Sequence, residues 1–320
     1  MFEAVFSEAV EGLRTLLNIP EDFYIVFTSS ATEVWDRSIQ NLVESKSLHY
    51  INGSFSKRYY EIALQLNKNA VKVEVPLGSA FDFPTNPEPD VELVGLTHNE
   101  TSTGVSLPIS FISSIREKYP NALIVVDAVS SLPYPQFDFS KIDSLFFSVQ
   151  KGFGLPAGLG VWMINKMCIA KAEQLQKKGT IGSYHTIPAL VSNAKKNQTP
   201  ETPNVLGIYL LSKVVEDFNR RGIQSIRKET EYKAAILYQL LSSHSTLSPF
   251  VIDKTIQSQT VIVANSGAHT KKVTDYLSNQ GLLAGEGYGE LKSTQLRFAN
   301  FPAHSKEQFE LLVDLLEKYS

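Results

Sequence analysis

One cysteine, Cys168, is all that the sequence contains, so no disulfide can form within the chain. No apolar run reaches membrane-spanning length, and low-complexity tracts and internal repeats are absent as well. Residues 1–18 lack the basic start and unbroken apolar stretch of a signal peptide and place apolar residues at helical spacing instead. We therefore expect a soluble protein of a reducing compartment, with a cytoplasmic location.

Strong charge of either sign is also missing, because 30 lysines and arginines nearly balance 33 aspartates and glutamates. The net charge of -3 gives no reason to expect a nucleic-acid partner or an anionic membrane surface. Hydrophobic residues make up 43% of the sequence, which is typical of an ordinary folded protein. At 320 residues the chain is long enough for one large domain and a smaller one.

Short apolar runs alternate with amphipathic stretches from about residue 23 to residue 165. The runs have the length and the β-branched or aromatic content of buried strands, and they lie at residues 24–27, 91–96, 122–126, 145–149 and 159–164. The stretches between them, such as 32–43, 57–66 and 108–118, have helical periodicity. This rhythm predicts an α/β protein with a mostly parallel sheet between two layers of helices. Ligands of such sheets bind beyond the carboxyl ends of the strands, so the loops after strands are the candidate site.

Two Thr-Pro pairs in residues 197–203 interrupt this pattern. A long helical region follows at about 205–243, and a second α/β stretch closes the chain. Its predicted elements are a strand at 260–264, a helix at 270–280, a strand at 295–299 and a helix from Lys306. We therefore predict a large domain of residues 1–228 and a small C-terminal domain of residues 229–320.

Lys151 lies in a glycine-rich loop directly after an apolar run that would bury it, and burial favours its neutral, nucleophilic amine. Asp127 ends the preceding strand, where a carboxylate is costly unless it caps a turn or pairs with a cation. A lysine nucleophile and an acid that protonates a pyridine nitrogen are what pyridoxal 5'-phosphate (PLP) chemistry needs. Alternatively, Lys151 has no special role and Asp127 caps a turn with Ser130 and Ser131.

Other strand ends carry residues that suit a planar, phosphorylated cofactor. Ser30 and Glu33 fit a capping box, and the same small-residue helix N-terminus suits a phosphate. Phe55 is either a core residue or a ring that stacks on the cofactor. The polar run at residues 98–104 indicates a site more than a turn. Arg297, within an apolar strand, needs a carboxylate or phosphate, and either a substrate or a structural ion pair could supply it.

Together these segments resemble the class V aminotransferases of PLP fold type I, most closely the phosphoserine aminotransferase-like branch. The motifs that carry the resemblance occur in family order, and they are Gly53-Ser54-Phe55-Ser56, Asn99-Glu100-Thr101, Val126-Asp127-Ala128-Val129-Ser130-Ser131, Ser148-Val149-Gln150-Lys151, Glu201-Thr202-Pro203 and Leu296-Arg297-Phe298-Ala299-Asn300-Phe301-Pro302. The resemblance implies a large domain with a seven-stranded type of sheet and a smaller C-terminal α/β domain. It also implies a PLP-dependent transaminase that moves an amino group between a small amino acid and a 2-oxo acid.

The same resemblance implies roles for individual residues. Lys151 would form the Schiff base with PLP, Asp127 would contact the pyridine nitrogen, and Phe55 would stack on the ring. Arg297 would bind the substrate α-carboxylate. The other implied cofactor contacts are Thr101 near the hydroxyl or phosphate, and Ala31, Thr32, Gln150 and Thr202 at the phosphate. Thr202 matches a loop that reaches the neighbouring subunit's phosphate, so we expect a homodimer with shared active sites, and no metal.

Three departures from the family pattern leave the substrate open. The family has further residues before the position of Met1, so we expect an N-terminal family segment to be missing. A His-Arg pair that grips the substrate phosphate is replaced by Gly285-Glu286-Gly287-Tyr288-Gly289, which is closer to the alanine/serine–glyoxylate branch. Glu201 replaces an asparagine and would repel a phosphate unless protonated or turned away. The alternatives are an alanine/serine–glyoxylate-type aminotransferase, a catalytically silent PLP-fold protein, and a cysteine desulfurase using Cys168.

Overall fold

The computed structural model describes residues 1–319. In this range the helices are α1 (Phe2–Leu17), α2 (Ala31–Leu42), α3 (Ser54–Gln65), α4 (Ile109–Lys118), α5 (Lys166–Lys177), α6 (Ile187–Ala194), α7 (Val205–Arg221), α8 (Ile223–Ser243), α9 (Thr270–Asn279) and α10 (Lys306–Lys318). The strands are β1 (Phe23–Thr28), β2 (Lys46–Ile51), β3 (Asn69–Glu74), β4 (Leu93–Thr97), β5 (Asn99–Glu100), β6 (Val105–Ser106), β7 (Leu123–Asp127), β8 (Ser144–Ser148), β9 (Gly160–Asn165), β10 (Ser248–Pro249), β11 (Val261–Asn265), β12 (Gly285–Glu286) and β13 (Gln295–Ala299). No helix among the described residues is both long and apolar enough to cross a membrane.

A seven-stranded sheet with the order β1-β9-β8-β7-β4-β2-β3 forms the centre of the molecule. The pairs β8/β7, β7/β4, β4/β2 and β2/β3 are parallel, and β9 runs antiparallel to both of its neighbours. The sheet is therefore mostly parallel, as predicted. Its inner strands β4, β7, β8 and β9 are buried along their whole length, because helices cover both faces.

Two apolar cores hold these helices against the sheet. On one face the core contains Leu13 of α1, Ile115 of α4 and Leu211 of α7, all fully buried. On the other face it contains Val34 of α2 and Leu190 of α6, also buried. Burial of each such side chain contributes roughly 1.5–3 kcal/mol. The helices are thus held firmly against the two faces of the sheet.

The C-terminal part of the chain forms a four-stranded antiparallel sheet with the order β10-β11-β13-β12. Helix α8 joins the two parts, since Ile226 belongs to the core of the large sheet and Leu237 to the core of the small one. The predicted boundary at residues 228 and 229 therefore falls inside a continuous helix. We propose that the two domains meet within α8 at this place.

Most predicted elements are present, with differences that have local causes. The helical region predicted at 205–243 is two helices, separated at Gly222, whose φ of +81° belongs to the left-handed region. Strand β3 was not predicted, because it is a mostly exposed edge strand without an apolar run. Helices α5 and α6 also lie outside the predicted elements.

Candidate active site

The candidate site lies at one edge of the large sheet. Thr97 at the end of β4 pairs in register with Asp127 at the end of β7, and β7 runs parallel to β8. Lys151 follows the end of β8 by three residues. The strand order therefore brings the predicted lysine and the predicted carboxylate to the same edge, as the loops after parallel strands require.

Asp127 is a buried carboxylate held by two donors. Trp35 of α2 donates its indole Nε1–H to Oδ2 at 2.8 Å, and the Val129 amide donates to Oδ1 at 2.8 Å. Burial raises the pKa of Asp127 to about 7, although both hydrogen bonds oppose this, and the nearby charge of Glu100 raises it further. The hydrogen bond from the Val129 amide caps a turn. Asp127 therefore caps a turn, as the alternative interpretation of the sequence expected, but its partner is Val129 instead of Ser130 or Ser131.

Lys151 is half-buried at the mouth of the loop that follows β8. Burial lowers the pKa of its ammonium group, and the positive charge of Arg297 lowers that pKa further. The next residue must be glycine, because a Cβ on Gly152 would lie 1.9 Å from the Leu132 carbonyl oxygen. This close approach fixes the backbone that presents the lysine. The arrangement favours a neutral, nucleophilic amine.

The first turn of α2 has the features of a phosphate cradle. Ser148 at the end of β8 accepts the Ala31 amide at 2.8 Å, and Ser30 accepts the Glu33 amide at 3.1 Å. The Thr32 amide between them has no hydrogen-bond partner within residues 1–319. Only half of the predicted capping box forms, since the Glu33 carboxylate accepts from the backbone and hydroxyl of Ser29 instead of the Ser30 amide.

Glu100 fixes the first turn of α3, which carries Phe55. This carboxylate is fully buried and accepts the amide of Phe55 at 3.3 Å and the amide and hydroxyl of Ser56 at 2.9 and 2.8 Å. It also accepts the amide and hydroxyl of Ser102 at 3.1 and 2.6 Å. A Cβ on Gly53 would lie 2.4 Å from the Glu100 side chain, so only glycine allows this approach. Phe55 is half-buried, and Glu100 fixes the backbone that carries it.

Arg297 reaches the same place from the small sheet. Its Nε donates to the Glu286 carbonyl at 2.7 Å, and its Nη1 donates to the Thr101 carbonyl at 3.4 Å. Its guanidinium lies 5.6 Å from the centre of the Tyr288 ring, and that ring lies 5.1 Å from the ring of Phe55. Burial lowers the pKa of Arg297. Within the described chain Nη2 has no hydrogen-bond partner, so part of the fork remains for a carboxylate.

The structure brings most of the predicted residues together, but Gln150 stands apart from them. Gln150 is exposed, and within residues 1–319 its side chain forms no hydrogen bond with another candidate residue. Thr202 is also exposed and lines a cavity of about 190 Å³ with Thr28, Ser29 and His185. The cavity adjoins the first turn of α2, so Thr202 lies close to the candidate phosphate cradle of its own chain.

Several residues of the site were not predicted. Trp35 could have been found as the residue one helical turn after Ala31, on the same face of α2. Glu100 was part of a family motif but was given no role, because its partners at residues 55 and 56 are distant in sequence. Tyr288 was noted only as a departure from the family pattern. Its contacts with Phe55 and Arg297 depend on the packing of the two sheets.

The residues present fit PLP. The buried Asp127 carboxylate makes no ion pair among the described residues, which suits a protonated pyridine nitrogen. The unpartnered amide of Thr32 at a helix N-terminus suits a phosphate. Lys151 is half-buried, with no described hydrogen bond from its amine, and Phe55 offers an aromatic face. The Asp127 carboxylate thus suits the positively charged pyridine end of this cofactor, and the Thr32 amide suits its negatively charged phosphate end.

Comparison with known proteins identifies the family. Residues 64–289 match the family described as Aminotransferase class-V, and this match spans more than half of the sequence. The chain belongs to the class-V aminotransferases and is a PLP-dependent transaminase with the α/β fold of that family. The predictions of family, fold class, cofactor and reaction type are thereby confirmed.

The relatives include phosphoserine aminotransferases. One from Rhodococcus opacus (strain B4) is 29% identical over 322 residues, which cover 98% of this chain and 84% of the relative. The crystal structure of a phosphoserine aminotransferase from Cytophaga hutchinsonii is 50% identical, with a TM-score of 0.97, and the match covers 99% of this chain and 88% of that one. An alanine–glyoxylate aminotransferase from Nostoc sp. is similar in fold alone, with 22% identity, a TM-score of 0.80 and coverage of 99% and 86%.

Cys168 lies away from the site. It is fully buried in the first turn of α5, and its thiol donates to the Asp143 carbonyl at 3.4 Å. Burial raises the pKa of this thiol well above its ordinary value. A cysteine desulfurase needs a mobile, reactive cysteine, so these observations favour the transaminase over that alternative.

Proposed function

We propose that Lys151 is the catalytic lysine of this transaminase and that Asp127 contacts the pyridine nitrogen of PLP. Phe55 covers one face of the ring, and Arg297 binds the α-carboxylate of the substrate. The proposed remaining contacts are Thr101 near the hydroxyl or phosphate and Ala31, Thr32, Gln150 and Thr202 at the phosphate. The observation that supports these roles best is the half-buried Lys151, whose pKa is lowered by burial and by Arg297.

Bound PLP supplies an electron sink that makes the Cα–H bond of an amino acid acidic. Lys151 would take this proton from Cα as general base and would deliver it, as general acid, to the cofactor carbon that carries the amino group. Its lowered pKa keeps more of the amine neutral for the first step. Asp127 holds a proton on the pyridine nitrogen, and Arg297 orients the substrate so that its Cα faces Lys151. A 2-oxo acid then enters the same site as acceptor, so ping-pong kinetics are expected.

Phosphoserine is the amino donor that we propose first. The support is the 50% identity to the phosphoserine aminotransferase from Cytophaga hutchinsonii over 99% of this chain. A second candidate is a small donor with an uncharged side chain, such as alanine or serine, with glyoxylate as acceptor. Its support is the segment next to Arg297, where Tyr288 replaces a cationic pair and Lys292 is paired with Glu286 at 3.1 Å.

We propose that two copies form a dimer with shared active sites. The support is an exposed apolar surface beside Thr202, formed by the first turns of α7. Its members are Val205, Leu206 and Tyr209, which are 47%, 67% and 45% exposed. Exposed apolar groups that adjoin a functional loop are typical of an interface. Sedimentation of wild type against Leu206→Glu tests this, and a monomeric wild type would contradict it.

The visible spectrum tests the role of Lys151. We expect purified protein with PLP to be yellow, and borohydride reduction to attach the cofactor to the peptide that contains Lys151. Lys151→Ala should lose both the band and the attachment. Lys166→Ala, at the start of α5, is the matched control and should retain them. A yellow protein that Lys151→Ala leaves unchanged would contradict the assignment.

The substrate is tested with a panel of donors and acceptors. Phosphoserine, serine and alanine are each assayed against 2-oxoglutarate, pyruvate and glyoxylate. The first proposal predicts the highest kcat/KM for phosphoserine, and the second predicts it for alanine or serine with glyoxylate. Equal values for all donors would mean that the site reads only the α-carboxylate.

A further inference from the structure

A buried histidine connects two glutamates beside the phosphate cradle. His185 is 2% exposed, its Nδ1 lies 2.5 Å from Glu33 Oε1, and its Nε2 lies 2.6 Å from Glu201 Oε2. An ionised carboxylate only accepts hydrogen bonds, so both ring nitrogens have to donate. Only the protonated imidazolium carries a proton on each nitrogen. The intact bridge therefore places one positive charge between two negative ones.

The two glutamates lie on different functional segments. Glu33 is in the first turn of α2, and its Oε2 accepts the backbone amide of Ser29 at 2.8 Å and its hydroxyl at 2.6 Å. Glu201 precedes Thr202, and the Glu201 carbonyl accepts the Thr199 hydroxyl at 2.7 Å. One chain of hydrogen bonds thus runs from the candidate phosphate cradle to the segment 199–204.

The backbone conformation of His185 and its packing both hold the ring in place. His185 has a φ of +48°, in the left-handed region that residues with a Cβ seldom adopt and that surrounding contacts must enforce. Its ring stacks on Tyr184 with 3.9 Å between centroids and 17° between planes. Arg37 of α2 donates to the Tyr184 carbonyl at 3.4 Å. The imidazole is therefore fixed from its edge and its face.

We propose that His185 is a positioning residue for cofactor retention, because its imidazolium ties the segment 199–204 to the first turn of α2. This inference rests on the proposed function, in which Thr202 and the α2 cradle contact phosphates. The bridge turns the Glu201 carboxylate onto His185 and away from a phosphate. With the imidazolium present the three side chains carry one net negative charge, and without its proton they carry two. When His185 loses this proton, the segment 199–204 is released and the two carboxylates repel a phosphate dianion.

The charge state of the bridge depends on pH in a defined direction. The titratable groups that contact His185 are Glu33 of α2, Glu201 of the segment 199–204 and Tyr184, which stacks on its ring. The nearest cation on α2, Arg37, bonds the Tyr184 carbonyl. Burial lowers the pKa of His185, but the bonds to the two glutamates outweigh it and raise the pKa above its ordinary 6.5. The bridge is therefore intact at acidic pH and is lost as pH rises through this raised pKa.

The release of PLP from the holoenzyme tests this role. We measure the decay of the visible absorbance after transfer into buffer with a PLP scavenger, from about pH 6 to about pH 9. Wild type should release PLP faster as pH rises. At about pH 7 His185→Asn should release it about tenfold faster, as expected for a lost charge-assisted hydrogen bond, and its rate should depend on pH less than that of wild type. His269→Asn, the same substitution near α9, is the matched control and should match wild type.

A second variant covers the case in which His185→Asn does not fold. The amide of Glu201→Gln can donate to a neutral imidazole, so the contact no longer needs the imidazolium. We expect Glu201→Gln to fold and to show a flatter pH profile than wild type. A His185→Asn or Glu201→Gln protein with the wild-type rate and pH profile would overturn the inference.

Amide hydrogen exchange of the apoprotein separates this inference from the proposed function. We expect His185→Asn to exchange faster than wild type in residues 199–204, with no cofactor present. Unchanged exchange there would overturn the bridge even if wild type binds PLP. Conversely, a wild type that binds no PLP contradicts the proposed function, while faster exchange in His185→Asn would still support the bridge.

Discussion

Trp35 and Asp127, which are 92 residues apart in the sequence, share a buried hydrogen bond of 2.8 Å from the indole Nε1 to Oδ2. Helix α2 therefore contributes to the site twice, with its N-terminus as a candidate phosphate cradle and with Trp35 one turn further on. The Val129 amide holds the other carboxylate oxygen at 2.8 Å. These two donors fix the plane of the Asp127 carboxylate before any cofactor binds, which is preorganisation of the site.

Replacement of Trp35 by phenylalanine should weaken PLP binding. The substitution removes the donor but keeps an aromatic ring, so Oδ2 of Asp127 loses its partner and the pKa of Asp127 rises further. We expect a stability loss of about 1–3 kcal/mol in urea unfolding. Trp162→Phe is the matched control. The Trp162 indole donates to the Ser144 hydroxyl at 2.7 Å instead of to the Asp127 carboxylate. Both variants should lose stability, but only Trp35→Phe should lose PLP affinity. Equal PLP affinities would contradict this role of Trp35.

The stability of the apoprotein should fall between about pH 4 and about pH 7 because of Asp127. Its pKa is raised by burial from 3.8 to about 7, so the folded state holds a proton that the unfolded state releases at lower pH. Raising the pH through this window therefore favours unfolding. Urea unfolding of wild type and Asp127→Asn across the window isolates this contribution, because other groups titrate in both proteins. The difference between their unfolding free energies should change with pH in apoprotein and much less with PLP bound. A constant difference in apoprotein would refute the assignment.

The fold and part of the site follow from the sequence, because the signals are local. Asp127 and Lys151 each come soon after a continuous apolar run, and parallel strands bring such positions to one edge. The strand β3 carries no such run, since it lies at the exposed edge of the sheet. For the same reason its existence could not be predicted from hydrophobic pattern.

The supporting residues could not be predicted, since their roles depend on distant partners. His185 and Glu33 are 152 residues apart, and nothing in either local sequence indicates the other. Glu201 beside a phosphate position looked unfavourable from the sequence, and the structure gives the physical answer, because its carboxylate is turned onto His185. Tyr288 similarly reaches Phe55 only because the two sheets pack together.

Replacement of Arg297 by lysine should weaken all amino donors to a similar degree. The variant retains one positive charge but loses the planar fork that binds a carboxylate with two parallel hydrogen bonds. We expect kcat/KM to fall roughly 10- to 100-fold for every donor, as for the loss of about 1.4–3 kcal/mol. Arg58→Lys is the control, because Arg58 is exposed and its one ion pair within residues 1–319 is with Glu61 at 3.7 Å. A loss confined to one donor would mean that Arg297 reads the substrate side chain instead of the α-carboxylate.

Replacement of Glu100 by glutamine should destabilise the protein and disturb the site. Glu100 is fully buried and accepts five hydrogen bonds, from the amides of Phe55, Ser56 and Ser102 and from two serine hydroxyls. The amide group of a glutamine would face some of these donors with its own protons. We expect a loss of about 2–4 kcal/mol in urea unfolding and weaker PLP binding, because Phe55 is no longer held.

Glu92→Gln is the matched control for this experiment. Glu92 also accepts three backbone amides, those of residues 44–46, and pairs with Lys171 at 2.6 Å. Those partners lie at the start of β2 and in α5, away from the carboxyl edge of the sheet. Glu92→Gln should therefore lose stability without losing PLP affinity. If both variants kept wild-type PLP affinity, Glu100 would be a helix cap alone, and the position of Phe55 would not depend on it.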